Sequence, residues 1–235
     1  MSRGDLILWV VLPYVAITIF VVGHIWRYRH DQFGWTSRST QLLEDRLLRW
    51  GNPLFHYGAF AAIAGHVLGI LIPASVTERI GISENTYHVI SYAAGTVAWV
   101  AVITGLLILA YRRVLTPRVR VTTTRVDVLA FGLLFVVIGL GIWETFGYNL
   151  IQGGYDYRST VAIWFRGIFT FEPHTELMTS APLIFQLHAI IAWFLFALWP
   201  FSRLVHAWSI PITFLGRAQV LYRSAAPLTR PRSAP

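Results

Sequence analysis

Residues 54–72 read LFHYGAFAAIAGHVLGILI, with no Asp, Glu, Arg or Lys among them. A helix needs about 20 apolar residues to cross the roughly 30 Å hydrocarbon core of a bilayer, and this stretch meets that length. Two ionisable residues, His56 and His66, lie inside it. Ionisable side chains at membrane depth are costly and mark functional positions.

Four further stretches have the same character. They are 6–26, interrupted by Pro13 and His24; 89–111; 126–148, with Asp127 and Glu144 near its ends; and 181–206, with Pro200 inside it. A proline within a membrane helix is tolerated where neighbours satisfy the freed carbonyl. Residues 161–171 are too short to span and carry Arg166, so they are expected to form an interfacial amphipathic helix. The first stretch is too long for a signal-peptide core and is followed by Arg27, Tyr28, Arg29 and His30, so it is read as a true helix. The expected fold is therefore an all-α membrane protein. A single five-helix domain fills residues 1–223, and a flexible cytoplasmic tail fills 224–235.

The composition agrees. Hydrophobic residues make up 55% of the 235 and charged residues only 13%, about half the charged share of an ordinary soluble domain. All 19 basic residues are Arg, and the net charge is +8. Fifteen of those Arg fall in residues 27–52, 112–125 and 203–235. The excess of positive charge marks the cytoplasmic side, so the N-terminus is expected outside and the C-terminus inside. A nucleic-acid surface would need Arg beside aromatic platforms on a soluble face, and none is found. Cys is absent, which excludes disulfides, Cys-ligated zinc and iron–sulfur clusters from this chain.

Eight His remain as metal ligands. Four fall in two stretches, His56 and His66 in the second, His188 and His206 in the fifth. Residues 188 and 206 are separated by about five whole turns, and 56 and 66 by about 2.8 turns, so each pair can face a common neighbour. The second stretch runs outward and the fifth inward. Depth therefore matches His56 with His206 and His66 with His188. Two isolated imidazole pairs are too few for zinc or copper unless carboxylates join them. They suit haem, whose macrocycle supplies the other ligands. Gly58, Ala61, Ala62, Ala64, Gly65, Gly69, Ala189, Ala192 and Ala197 offer close approach, although small residues also serve plain helix packing. His24, His30 and His174 are expected at surfaces. His88, beside Tyr87, can bond a quinone head group or sit as an interfacial residue.

Several segments then resemble the gamma subunit family of membrane-bound respiratory nitrate reductase, a di-haem cytochrome b. They are Arg-Tyr-Arg-His-Asp-Gln-Phe-Gly-Trp from Arg27, Pro-Leu-Phe-His-Tyr-Gly from Pro53, Gly-His-Val-Leu-Gly from Gly65 and Pro-Arg-Val-Arg-Val-Thr-Thr-Thr from Pro117. Phe-Gln-Leu-His from Phe185 and Trp-Pro-Phe-Ser-Arg-Leu-Val-His-Ala-Trp-Ser-Ile-Pro from Trp199 complete the set. The resemblance implies two b haems between the second and fifth helices. It gives His66 and His188 to a distal haem near the outer face, and His56 and His206 to a proximal haem near the cytoplasm. It implies quinol oxidation beside the distal haem and electron flow inward. The onward path leads to an iron–sulfur beta subunit and a molybdenum alpha subunit, where nitrate becomes nitrite. It implies a multi-pass place in the bacterial inner membrane. Arg112 and Arg203 are candidates to pair with haem propionates, or else act as positive-inside anchors.

Some members of the family use a Lys before the third helix at the quinol site. This chain has no Lys, which leaves Gly65, His66, Tyr87 and His88 as the quinol candidates. Two other functions are weighed against this one. A di-haem anchor for a sulfur-compound or heterodisulfide complex would share the haem arrangement and differ in its partner. A non-redox transporter would need charges along a path and broken helices in repeated halves, and neither is apparent.

Overall fold

The computed structural model describes residues 2–208 and is helical throughout its long elements. The expected tail at 224–235 lies outside the described residues. Five helices are long and apolar enough to cross a membrane: α1 (Arg3–His30), α2 (Arg46–Leu71), α3 (Glu84–Leu115), α4 (Arg125–Tyr148) and α5 (Leu183–Phe201).

Their ends follow local chemistry. Ser2 and Asp5 form a reciprocal cap at the start of α1, and Thr124 and Asp127 form another at the start of α4. Each pair satisfies amides that lack a partner in the first turn. Ser83 caps α3 by accepting from the Thr86 N–H. Helices α2 and α3 both end just before a proline. Ile72 precedes Pro73 and Thr116 precedes Pro117, and both are extended, as the proline ring demands. Gly153 takes a left-handed conformation at the end of the short helix that follows α4.

The fifth segment departs from expectation. The single helix expected over 181–206 is α-helical only over Leu183–Leu198, and 3₁₀ turns cover Trp199–Phe201 and Arg203–Trp208. Pro200 cannot donate to the helix, so regular hydrogen bonding stops there. His206 therefore lies on a separate 3₁₀ turn. Its alignment with His188 does not come from five turns of one continuous helix.

Val161–Thr170 forms the expected short helix, but its apolar face is packed within the protein. Trp164 is buried against Trp9, and its Nε1–H donates to the Trp9 carbonyl at 3.0 Å. Ile168, Met178, Ala181 and Trp193 complete a core that joins α1, α5 and the connection before α5.

Helices α2 and α3 make the closest pairing. A Cβ at Gly58 would strike the Val102 backbone nitrogen, and a Cβ at Gly105 would strike the Phe55 backbone nitrogen. Only glycine admits backbones this close. Helix α5 packs on α1 and α4 instead, and α2 and α5 do not pack extensively on each other.

Two arginine clamps tie the Arg-rich end together. Arg112, at the end of α3, is buried and donates to the Glu44 carboxylate, the Glu44 carbonyl and the Thr40 hydroxyl and carbonyl. Arg203 donates to Asp127 at 2.8 Å and to the carbonyls of Arg38 and Thr122. Burial pushes the Glu44 carboxyl up, but the Leu47 N–H and the Arg112 guanidinium outweigh it and hold the group below its ordinary value of 4.5.

Two outcomes follow from this packing. Gly105→Ala forces α2 and α3 apart and lowers the thermal unfolding midpoint in detergent, at a cost of about 1–3 kcal/mol. Gly132→Ala, where a Cβ meets nothing within 4 Å, leaves the midpoint unchanged. The Glu44 clamp has a pH signature. Its folded value is depressed, so its contribution is present above 4.5 and is lost as pH falls through the lower folded value. Glu44→Gln is therefore less stable than wild type near neutral pH, and the two unfolding curves converge in acid.

Candidate haem sites

The four selected histidines meet in the two expected pairs. His56 and His206 place their Nε2 atoms 3.5 Å apart, with ring centroids at 5.8 Å. His66 and His188 stack with centroids at 6.1 Å and planes 23° apart. Each pair joins α2 to the fifth segment across a space those backbones do not close.

The hydrogen bonds settle how three of the rings are turned. His56 Nδ1 lies 2.8 Å from the Asn52 carbonyl, His66 Nδ1 2.7 Å from the Ala62 carbonyl, and His206 Nδ1 2.6 Å from the Arg203 carbonyl. A carbonyl oxygen only accepts, so each Nδ1 carries the proton and donates. In a neutral ring the lone pair is then on Nε2. At His56 and His206, two Nε2 lone pairs are thus brought together. In that form they do not bond to each other, and they offer two nitrogen donors to an electrophile placed between them. Two metal–imidazole bonds of about 2 Å each span about 4 Å, close to the separation seen. A ligating His with its other ring nitrogen held by an acceptor is the usual outer support of a metal site.

The surroundings fit a macrocycle as well. Ala61, Ala64, Gly65 and His66 on α2 are exposed, and a Cβ at Gly65 or at Gly139 on α4 would meet nothing within 4 Å. Among the described residues there is no group of three or more His, Cys, Asp or Glu able to hold a metal ion. The donor set is two imidazoles per site, a set that a porphyrin would complete.

The other expected residues take different places. Arg112 and Arg203 spend most of their N–H groups on the clamps described above, and the haem-propionate role expected for them finds no support in these contacts. His88 lies half-exposed at the start of α3, its Nε2 3.5 Å from Glu84. Tyr87 is buried. Its hydroxyl meets the Tyr157 hydroxyl at 3.1 Å, and both hydroxyls lie against Gly69, one turn beyond His66. Burial, followed by the Tyr87 hydroxyl, holds the Tyr157 phenol well above its usual range.

Sequence alone does not single out four further residues as part of a site. Arg158 is buried over the Tyr87 ring at 3.9 Å and donates to Glu84 at 2.8 Å and Thr77 at 3.1 Å. Arg166 donates to the Ile70 carbonyl at 2.6 Å. Together with Tyr157 they secure the end of α2 next to His66. Glu144 on α4 brings a carboxylate oxygen to 3.6 Å from His188 Nδ1. The intramembrane carboxylate is itself a visible signal in the sequence.

The chain is 48% identical over 217 residues to the nitrate reductase gamma chain of Bacillus subtilis, covering 92% of this chain and 97% of that one. It is 32% identical over 215 residues to the respiratory nitrate reductase 1 gamma chain of Escherichia coli, covering 91% and 95%. It is 45% identical over 235 residues to the nitrate reductase-like protein NarX of Mycobacterium tuberculosis, covering 97% of this chain but only 36% of that longer protein. The family model for the nitrate reductase gamma subunit matches residues 5–225, and the chain belongs to that family.

Proposed function

We propose that this chain is the quinol-oxidising cytochrome b subunit of a membrane-bound nitrate reductase. It lies in the cell membrane with its N-terminus outside and its Arg-rich end in the cytoplasm. The carrying observation is the pair of inner imidazoles that turn their Nε2 lone pairs toward each other at 3.5 Å. His66 and His188 would hold a distal b haem and His56 and His206 a proximal one, each of which would supply a one-electron carrier.

The chain's own residues set the route. The carbonyls of Asn52, Ala62 and Arg203 hold three of the rings by their Nδ1–H groups. The tight α2–α3 contact at Gly58 and Gly105 supports the helix that carries both histidines. On the outer side, quinol is taken up next to Gly65 and His66, where α2 is open. Tyr87, Tyr157 and Arg158 brace that end of α2, and His88 is placed at its rim. At the other end, the Arg-rich surface held by the Glu44–Arg112 and Asp127–Arg203 clamps receives the iron–sulfur subunit. That subunit in turn serves the molybdenum subunit that reduces nitrate. The relatives named as nitrate reductase gamma chains support this assembly over an anchor for another redox complex.

Reduced-minus-oxidised spectra with haem stoichiometry test the proposal. Wild type is expected to carry two haems per chain, and His56→Ala and His66→Ala each to lose one and keep the other. Quinol-driven nitrate reduction by the assembled complex is expected to fall to background in both. Two haems retained in both variants would overturn the ligand assignment.

A further inference from the structure

Three of the four paired histidines give Nδ1–H to a backbone carbonyl three or four residues earlier in the chain. His188 does not. Its Nδ1 is buried and has no hydrogen-bond partner among the described residues, and the Glu144 Oε1 is buried in the same condition. The other Glu144 oxygen is 3.6 Å from that Nδ1. Two adjacent orphaned polar groups at membrane depth are costly apart and complementary together.

The backbone supports the approach. Glu144 sits in a π-helical turn, Trp143–Tyr148, and a second π turn, Val67–Leu71, follows directly after His66. Single π turns concentrate at functional sites because the extra residue re-aims side chains. A Cβ at Gly141, just before that turn, would lie 3.1 Å from His188 Cε1, so the glycine leaves room for the ring beside α4 near Glu144.

We propose that Glu144 is a positioning residue that accepts the His188 Nδ1–H, so that the outer haem has a carboxyl-supported imidazole while the other three ligands have carbonyl-supported ones. The gap of 3.6 Å exceeds a hydrogen bond by a few tenths of an ångström, and polar contacts of this kind often tighten when a site is filled. The carboxyl holds the ring with Nε2 toward His66. It gives the Nδ1–H an acceptor that the ring otherwise lacks, and so raises the electron density the ring can supply at Nε2. A haem held at this pair would have its oxidised state favoured by the contact, and would lose that when the acceptor is removed. The inference rests on His188 being a haem ligand.

The test uses the full chain with its haems, as wild type, Glu144→Ala and Glu144→Gln. Haem is counted per chain, each haem is titrated potentiometrically, and the ferric low-spin signals are recorded by electron paramagnetic resonance. In Glu144→Ala, one haem is expected to rise in potential by about tenfold in its reduced-to-oxidised ratio, or about 59 mV for one electron. Its ferric signal moves, and the other haem is unchanged. Loss of that one haem alone also supports the proposal. Glu144→Gln keeps an oxygen acceptor and is expected to retain both haems and restore the ferric signal toward wild type. The proposal is overturned if Glu144→Ala leaves both potentials and both signals unchanged, if both haems move equally, or if Glu144→Gln loses both haems. A wild type without bis-histidine haem would instead sink the underlying site reading.

Discussion

An imidazole in a hydrocarbon layer has two nitrogens to satisfy, and this bundle answers each of them separately. At His56, His66 and His206 the proton on Nδ1 goes to a carbonyl within the same turn of chain, which costs the fold no outside partner. The Nε2 lone pair is thereby forced outward, away from its own helix. At His56 and His206 the two Nε2 atoms come to 3.5 Å of each other. Helices α2 and α5 stand apart, and each takes its packing elsewhere, α2 from α3 and α5 from α1 and α4. The backbone contact through Gly58 and Gly105 gives α2 its fixed support, so that its other face can stay open.

The two ends of the bundle solve a different problem with the same residue. Arg is the only cation available to the chain besides His. At one end Arg112 and Arg203 gather the loop before α2 and the start of α4 onto the ends of α3 and α5. At the other, Arg158 and Arg166 cap carbonyls at the end of α2 or brace the tyrosines beside it. The planar guanidinium suits this work because one side chain can bond several carbonyls and a carboxylate at once. At that end of α2, Arg158 and Arg166 are held by fixed partners in the scaffold.

Much of this is legible in the sequence because it depends on local pattern. Apolar length marks five helices. The histidine pairing is legible because alternating helix direction fixes depth. What escapes depends on partners far away in the chain. Pro200 reads as a tolerated kink within one helix, and nothing in the local pattern shows that the α-helix ends there. The partners of Arg158 lie 74 to 86 residues away, and those of Arg112 about 70. Glu144 is visible as an intramembrane acid, but its nearness to His188 arises only when α4 and α5 pack.

The most direct test of the central claim is to locate iron in the haem-loaded chain by anomalous scattering. The account predicts two iron peaks, one between His56 and His206 and one between His66 and His188. A single peak, or iron held away from either pair, would contradict it.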